Sequence, residues 1–125
     1  MLFHQQRIFP RMRFLFSILI LCAISLPVPV TAASFDCARG RSADEHAVCA
    51  SRLLSEMDVE MAVRFQTLTG LVAMGTRGDM GDEQIRFLTA RHACGSAVRC
   101  LTPLYRARIA VLKQQYESLK QRGPF

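Results

Sequence analysis

Tryptophan is absent from this chain of 125 residues, and tyrosine occurs only twice. A core therefore has to be built from aliphatic side chains, methionine and phenylalanine, and it is modest. No aspartate or glutamate precedes Asp36, although the chain holds sixteen basic and ten acidic residues. No apolar run reaches the roughly 20 residues that a membrane-spanning helix needs. No Cys-x-x-Cys or His-x-x-x-His spacing occurs, which removes the usual signatures of zinc binding and of thiol–disulfide exchange. Met12 separates Arg11 from Arg13, so there is no twin-arginine pair.

What the first 33 residues do contain has the order of a secretory signal. Arg7, Arg11 and Arg13 form a basic region. An unbroken apolar or small run follows from Phe14 to Leu26, about the length of a signal core. Pro27 and Pro29 end any helix there. Val30-Thr31-Ala32-Ala33 then places small residues for cleavage after Ala32 or Ala33. The sequence thus divides into a signal peptide at 1–33 and a single small helical domain at 34–125. The expected address is outside the cytoplasm, periplasmic or secreted, with no stable membrane span once the signal is removed.

Processing changes the charge. Three of the sixteen basic residues lie before residue 34 and none of the ten acids does, which takes the net charge from +6 to +3. That is ordinary for a soluble domain and argues against a nucleic-acid partner. Cysteine usage agrees with export. Cys22 lies inside the signal, and the remaining Cys37, Cys49, Cys94 and Cys100 are an even set in a short exported chain, a disulfide framework. Four cysteines allow three pairings, and spacing alone does not choose.

Helical periodicity is clear and no strand is convincing. Ser42 and Glu45 form a capping box. Ala47, Ala50, Leu54, Met57, Met61, Phe65, Leu68 and Val72 then recur at steps of three or four, which predicts one long helix with one buried face. Gly75 to Gly81 reads as a flexible connection. Asp82 is an N-cap for a short second helix with an apolar side of Ile85, Leu88 and Ala93, widened by Phe87, and a stop at Gly95. Thr102-Pro103 opens a third helix, with Leu104, Tyr105, Ile109, Leu112, Tyr116 and Leu119 on one side. The expected fold is all-α: a small antiparallel three-helix assembly, one long helix and two shorter ones, stapled by two disulfides. Cys94 ends one helix and Cys100 precedes the next, so local pairing would clamp that turn. A Cys37–Cys49 bridge would tie the N-terminal segment onto the first helix.

These landmarks resemble the LprI-like family of exported domains. The opening run Ser34-Phe35-Asp36-Cys37, with Glu45, Cys49, Leu54 and Asp58, is similar to the start of that domain. Gln84-x-x-Phe87-Leu88-x-x-Arg91-x-x-Cys94 resembles its central Gln-x-x-Trp-Leu-x-x-Arg-x-x-Cys segment. Cys100-Leu101, Tyr105, Arg108-Ile109 and Leu112 are similar to its closing stretch. Phe87 stands where tryptophan is usual and brings no indole N–H. The resemblance implies a binding protein that blocks a lysozyme in the cell envelope, with no catalytic residue and no cofactor. A helical module for another envelope protein is the alternative.

The residues themselves bear on both readings. A mature charge of +3 disfavours fast association with a basic lysozyme, so inhibition calls for a local acidic patch such as Glu56, Asp58 and Glu60, or a loop that enters the cleft. Asp58, Arg91 and Arg108 read as inter-helix ion pairs, with Asp58 meeting at least one of the arginines. Glu45 reads as a cap, and Gln84 as a cap or a bridge. Asp36, Phe87 and Tyr105 complete the motif residues. His46 and His92 beside the cysteines lack metal-ligand spacing, and paired carboxylates for glycoside cleavage would need a cleft that a helical domain of this size can hardly build.

Overall fold

A computed structural model describes residues 33–122, so the expected signal segment lies almost wholly outside the described residues. These hold a 3-10 turn, Cys37–Arg39, and four α-helices: α1 (Ala43–Ala50), α2 (Arg52–Leu71), α3 (Met74–Cys94) and α4 (Val98–Gln121). No strand occurs among them. The all-α expectation holds, and so do both local disulfides, Cys37–Cys49 and Cys94–Cys100. The three-helix description needs three corrections.

The first is a break in the long helix. Ser51 is extended (φ −109°, ψ 114°) and separates α1 from α2. Its hydroxyl accepts from the Leu54 N–H at 3.4 Å and so begins a new helix. Ser55 Oγ donates to the Val48 carbonyl at 2.7 Å, occupying a carbonyl that the break would leave free. The apolar spacing runs straight through Ser51, which hides the break from a periodicity argument.

The second correction concerns Gly75–Gly81, which is helix and not loop. Only Val72 and Ala73 separate α2 from α3, and Asp82 lies inside α3 rather than capping it. Glycine disfavours a helix by about 1 kcal/mol per residue relative to alanine. Here Met80, 2% exposed, anchors the segment to the core. A Cβ placed on Gly75, Gly78 or Gly81 would meet nothing within 4 Å. Gly78→Ala and Gly81→Ala are therefore expected to stabilise the domain, each by about 0.5–1 kcal/mol in urea denaturation. A loss of stability in both would mean that this segment is not helical.

The third correction moves the start of α4 back to Val98, which leaves Pro103 inside the helix. Its missing N–H cannot reach the Arg99 carbonyl, but both residues are exposed and water can take that place. The bridge from Cys94 to Cys100 holds this added turn against the end of α3. Gly95, at φ +53°, ends α3 as its position suggests.

Packing follows from the pairs that meet. Asp58 meets Tyr105 and Glu60 meets Lys113, so α2 and α4 run in the same direction. Phe87 packs edge-on against Tyr105, while Gln84 meets Arg108 and Glu83 meets Gln115, so α3 runs antiparallel to α4. The core is Val48, Leu54, Met61, Leu68, Met80, Phe87, Leu101, Tyr105, Ile109, Leu112 and Leu119. On α3 the inward side is buried Met80 and Phe87 with half-buried Gln84, Arg91 and Cys94. Ile85 and Leu88, expected inward, are 63% and 39% exposed. None of the described helices is long and apolar enough to cross a membrane.

Ala33 is buried in this core, at 6% exposure. Of the two cleavage positions that the sequence offers, the one after Ala32 keeps this residue in the mature protein. N-terminal sequencing of exported protein is expected to begin at Ala33. A start at Ser34 would show that the fold does without that contact.

Candidate functional site

Three of the motif residues, Asp58, Arg91 and Tyr105, meet in one buried polar cluster. Asp44 from α1 and Asp58 from α2 are 1% and 0% exposed. Arg91 reaches both from α3: Nε donates to Asp44 Oδ2 at 2.7 Å, and Nη1 lies 3.7 Å from Asp58 Oδ1. Tyr105 of α4 donates its hydroxyl to Asp58 Oδ1 at 2.8 Å, and the Ser34 N–H donates to Asp58 Oδ2 at 2.8 Å. The Phe35 ring lies against the Arg91 guanidinium, 5.6 Å from ring centre to Cζ. Each helix and the N-terminal segment thus contribute to one network. Asp58 meets Arg91 as expected but not Arg108, and its direct hydrogen bonds come from Tyr105 and Ser34.

Asp44 is the central residue that sequence reasoning missed. As the second residue of α1 it looked like part of the helix start, as acids near helix N-termini usually are. The available signal was its place beside the capping box, which points one acid outward and the other inward. Glu45 does cap: its Oε2 accepts from the N–H groups of Arg41 (2.7 Å) and Ser42 (3.1 Å). His92 Nδ1 lies 3.2 Å from Asp44 Oδ1 at the solvent edge. Asp36 stands apart, accepting from the Ala38 N–H at 3.0 Å within the 3-10 turn.

A second polar group joins α3 to α4 further along. Arg108 Nη1 donates to Glu83 Oε2 at 2.8 Å, and its Nε donates to Gln84 Oε1 at 3.2 Å. Gln84 Nε2 in turn faces Met61 Sδ at 3.2 Å, so Gln84 bridges α2 and α4. The Arg108 partner is therefore Glu83, a residue with no place in the motif. Arg108 Nη2 and Gln115 Oε1 are buried without a hydrogen-bond partner among the described residues.

The electrostatics are those of a fixed network. Burial pushes the Asp44 carboxyl up, but hydrogen bonds from Ser42 and Arg91 and the charge of Arg91 outweigh it and hold the group below its ordinary value. The Arg108 hydrogen bond does the same for Glu83. Burial and then the Asp58 charge push the Tyr105 hydroxyl well above its ordinary range, so it stays a protonated donor. A carboxyl depressed in the folded state contributes stability that is complete above its unfolded value and lost as pH falls through the folded one. Stability is thus expected to decline as pH falls below about 4. Asp44→Asn should flatten that acid limb; an unchanged limb in urea titrations from pH 6 to pH 2 would remove Asp44 from the account.

The members of the main cluster bond to one another, with the His92 ring at its exposed edge. The open concavities lie elsewhere. The larger, about 440 Å³, follows the outer seam of α2 and α4. A smaller one, about 230 Å³, lies near the end of the same helices, between Val72 and Arg122. Nor do Glu56, Asp58 and Glu60 make the acidic patch that inhibition calls for. Asp58 is buried, Glu56 pairs with Arg52 at 2.7 Å, and Glu60 pairs with Arg64 and Lys113. Comparison with protein-family models, curated proteins and solved structures gives no match.

Proposed function

We propose that the mature chain is an exported, non-catalytic binding protein, a helical module that docks an envelope partner on the α2/α4 face. The observation that supports this reading is how the polar residues are used. Asp44, Asp58, Arg91 and Tyr105 bond within a sealed network and offer no reactive group to a substrate. The α2/α4 seam, by contrast, presents exposed Val59, Val63 and Tyr116. Two disulfides and a signal-like leader suit an oxidising compartment. A lysozyme remains a partner to test on the LprI-like resemblance.

The experiment uses the oxidised protein from residue 33 onward, immobilised and exposed to envelope extract, beside a Val63→Arg variant. Val63 is 56% exposed, so the variant should fold normally. The reading expects a partner retained by the wild type and lost by the variant at an unchanged melting temperature. A turbidity assay of wall lysis with several lysozymes runs in parallel. Protection at micromolar excess would name a lysozyme as the partner. Steady turnover of any wall substrate by the protein itself would overturn the non-catalytic reading.

A further inference from the structure

The α2/α4 groove has a chemistry of its own. Val59 and Val63 from α2 and Tyr116 from α4 line it at the surface over buried Leu68 and Leu112, and the open space is about 440 Å³. That lies within the roughly 300–1,000 Å³ typical of small-molecule sites. Near one end, Glu60 Oε1 receives both Arg64 Nη2 at 2.8 Å and Lys113 Nζ at 3.1 Å. These two hydrogen bonds, Arg64 first, hold the Glu60 carboxyl below its ordinary value, so it is an anion. Two cations share one carboxylate oxygen, which leaves a net positive charge at the groove edge. All three side chains are partly exposed, at 34%, 39% and 53% for Arg64, Glu60 and Lys113, so an incoming anion can share the two cations.

The groove therefore has aliphatic and aromatic walls with one cationic edge, complementary to one apolar tail and one anionic head. From Val59 to Leu68 it extends about 14 Å along α2. Beyond the charged edge, Thr67 and the Tyr116 hydroxyl are the polar groups of its lining. We propose that this groove binds a single-chain amphiphile with an anionic head, the head between Arg64 and Lys113 and the tail along the exposed Val59, Val63 and Tyr116. The proposal rests on the binding-protein reading and gives it a ligand class.

Sodium dodecanoate, titrated below its micelle threshold into ¹⁵N-labelled oxidised protein, tests this, with dodecyltrimethylammonium as the same tail on a cationic head. Amide shifts are expected at Val59, Val63, Leu112 and Tyr116, with dodecanoate binding about tenfold more tightly, equivalent to about 1.4 kcal/mol. Lys113→Glu should abolish the preference without changing the melting temperature. Equal affinity for the two heads, shifts centred elsewhere, or no binding of dodecanoate would overturn the proposal. If dodecanoate fails while Val63→Arg still abolishes capture of an envelope partner, the amphiphile falls and the binding-protein reading stands. If dodecanoate binds as described and no partner is captured, the ligand class stands and the protein partner falls.

Discussion

Arg91→Ala is expected to cost about 3–5 kcal/mol, the loss typical of breaking a buried ion pair by removing one member. The side chain is 11% exposed, bonds to Asp44 at 2.7 Å, and lies within 4 Å of Asp58, Tyr105 and Glu45. Its removal strands two carboxylates that are almost fully buried. Most of the loss is that desolvation penalty rather than the net worth of the pair, since a paired buried charge contributes little over a well-packed apolar replacement. Arg91→Met with Asp44→Asn should accordingly recover part of the loss, because one stranded charge has been neutralised. Against a total stability of about 5–15 kcal/mol, the single variant approaches unfolding. Urea denaturation at pH 7 measures it. A loss under about 1 kcal/mol would mean that the cluster does not hold the helices together.

The second large effect is that of the bridges. Cys37–Cys49 spans 12 residues of sequence and Cys94–Cys100 spans 6. In the chain-entropy model they contribute roughly 3 and 2 kcal/mol. The first ties the segment that carries Ser34 and Phe35 to α1, so its loss also loosens the cover over Asp58 and Arg91. The second clamps the turn between α3 and α4 and holds the extra turn of α4. Reduction of both is expected to abolish most of the ellipticity at 222 nm at 37 °C, and Cys37→Ser with Cys49→Ser should lower stability more than Cys94→Ser with Cys100→Ser. The reverse order would place the weak point at the α3–α4 turn.

Both effects rest on features of unequal visibility in the sequence. The helical class, the Ser42–Glu45 cap and the Gly95 stop follow from short-range rules of spacing and capping, whereas the pairing of the four cysteines is open on spacing alone. The inward face of α4 is also legible, because Tyr105, Ile109, Leu112 and Leu119 repeat cleanly and all are buried. What failed depends on contacts far apart in sequence. The α3 helix buries Met80 and Phe87, turns the half-buried Gln84 and Arg91 to the same side and leaves Ile85 and Leu88 outside, so its inward face is not the one an apolar-in rule selects. It can do so because Asp44, 47 residues away, receives the Arg91 charge. The glycine segment becomes helix because Met80 is seated in a core made by other helices. Local propensity records neither circumstance. Of the motif residues, Asp58, Arg91 and Tyr105 meet in the network while Asp36 lies outside it, and the groove that carries the functional proposal lies on valines that no motif singled out.

All of this presupposes that the domain is stapled as described. Mass spectrometry of unreduced peptides from protein recovered outside the cytoplasm tests that most directly. The account predicts cross-linked peptides joining Cys37 to Cys49 and Cys94 to Cys100. Free thiols at these positions, or bridges between the two halves of the domain, would contradict it.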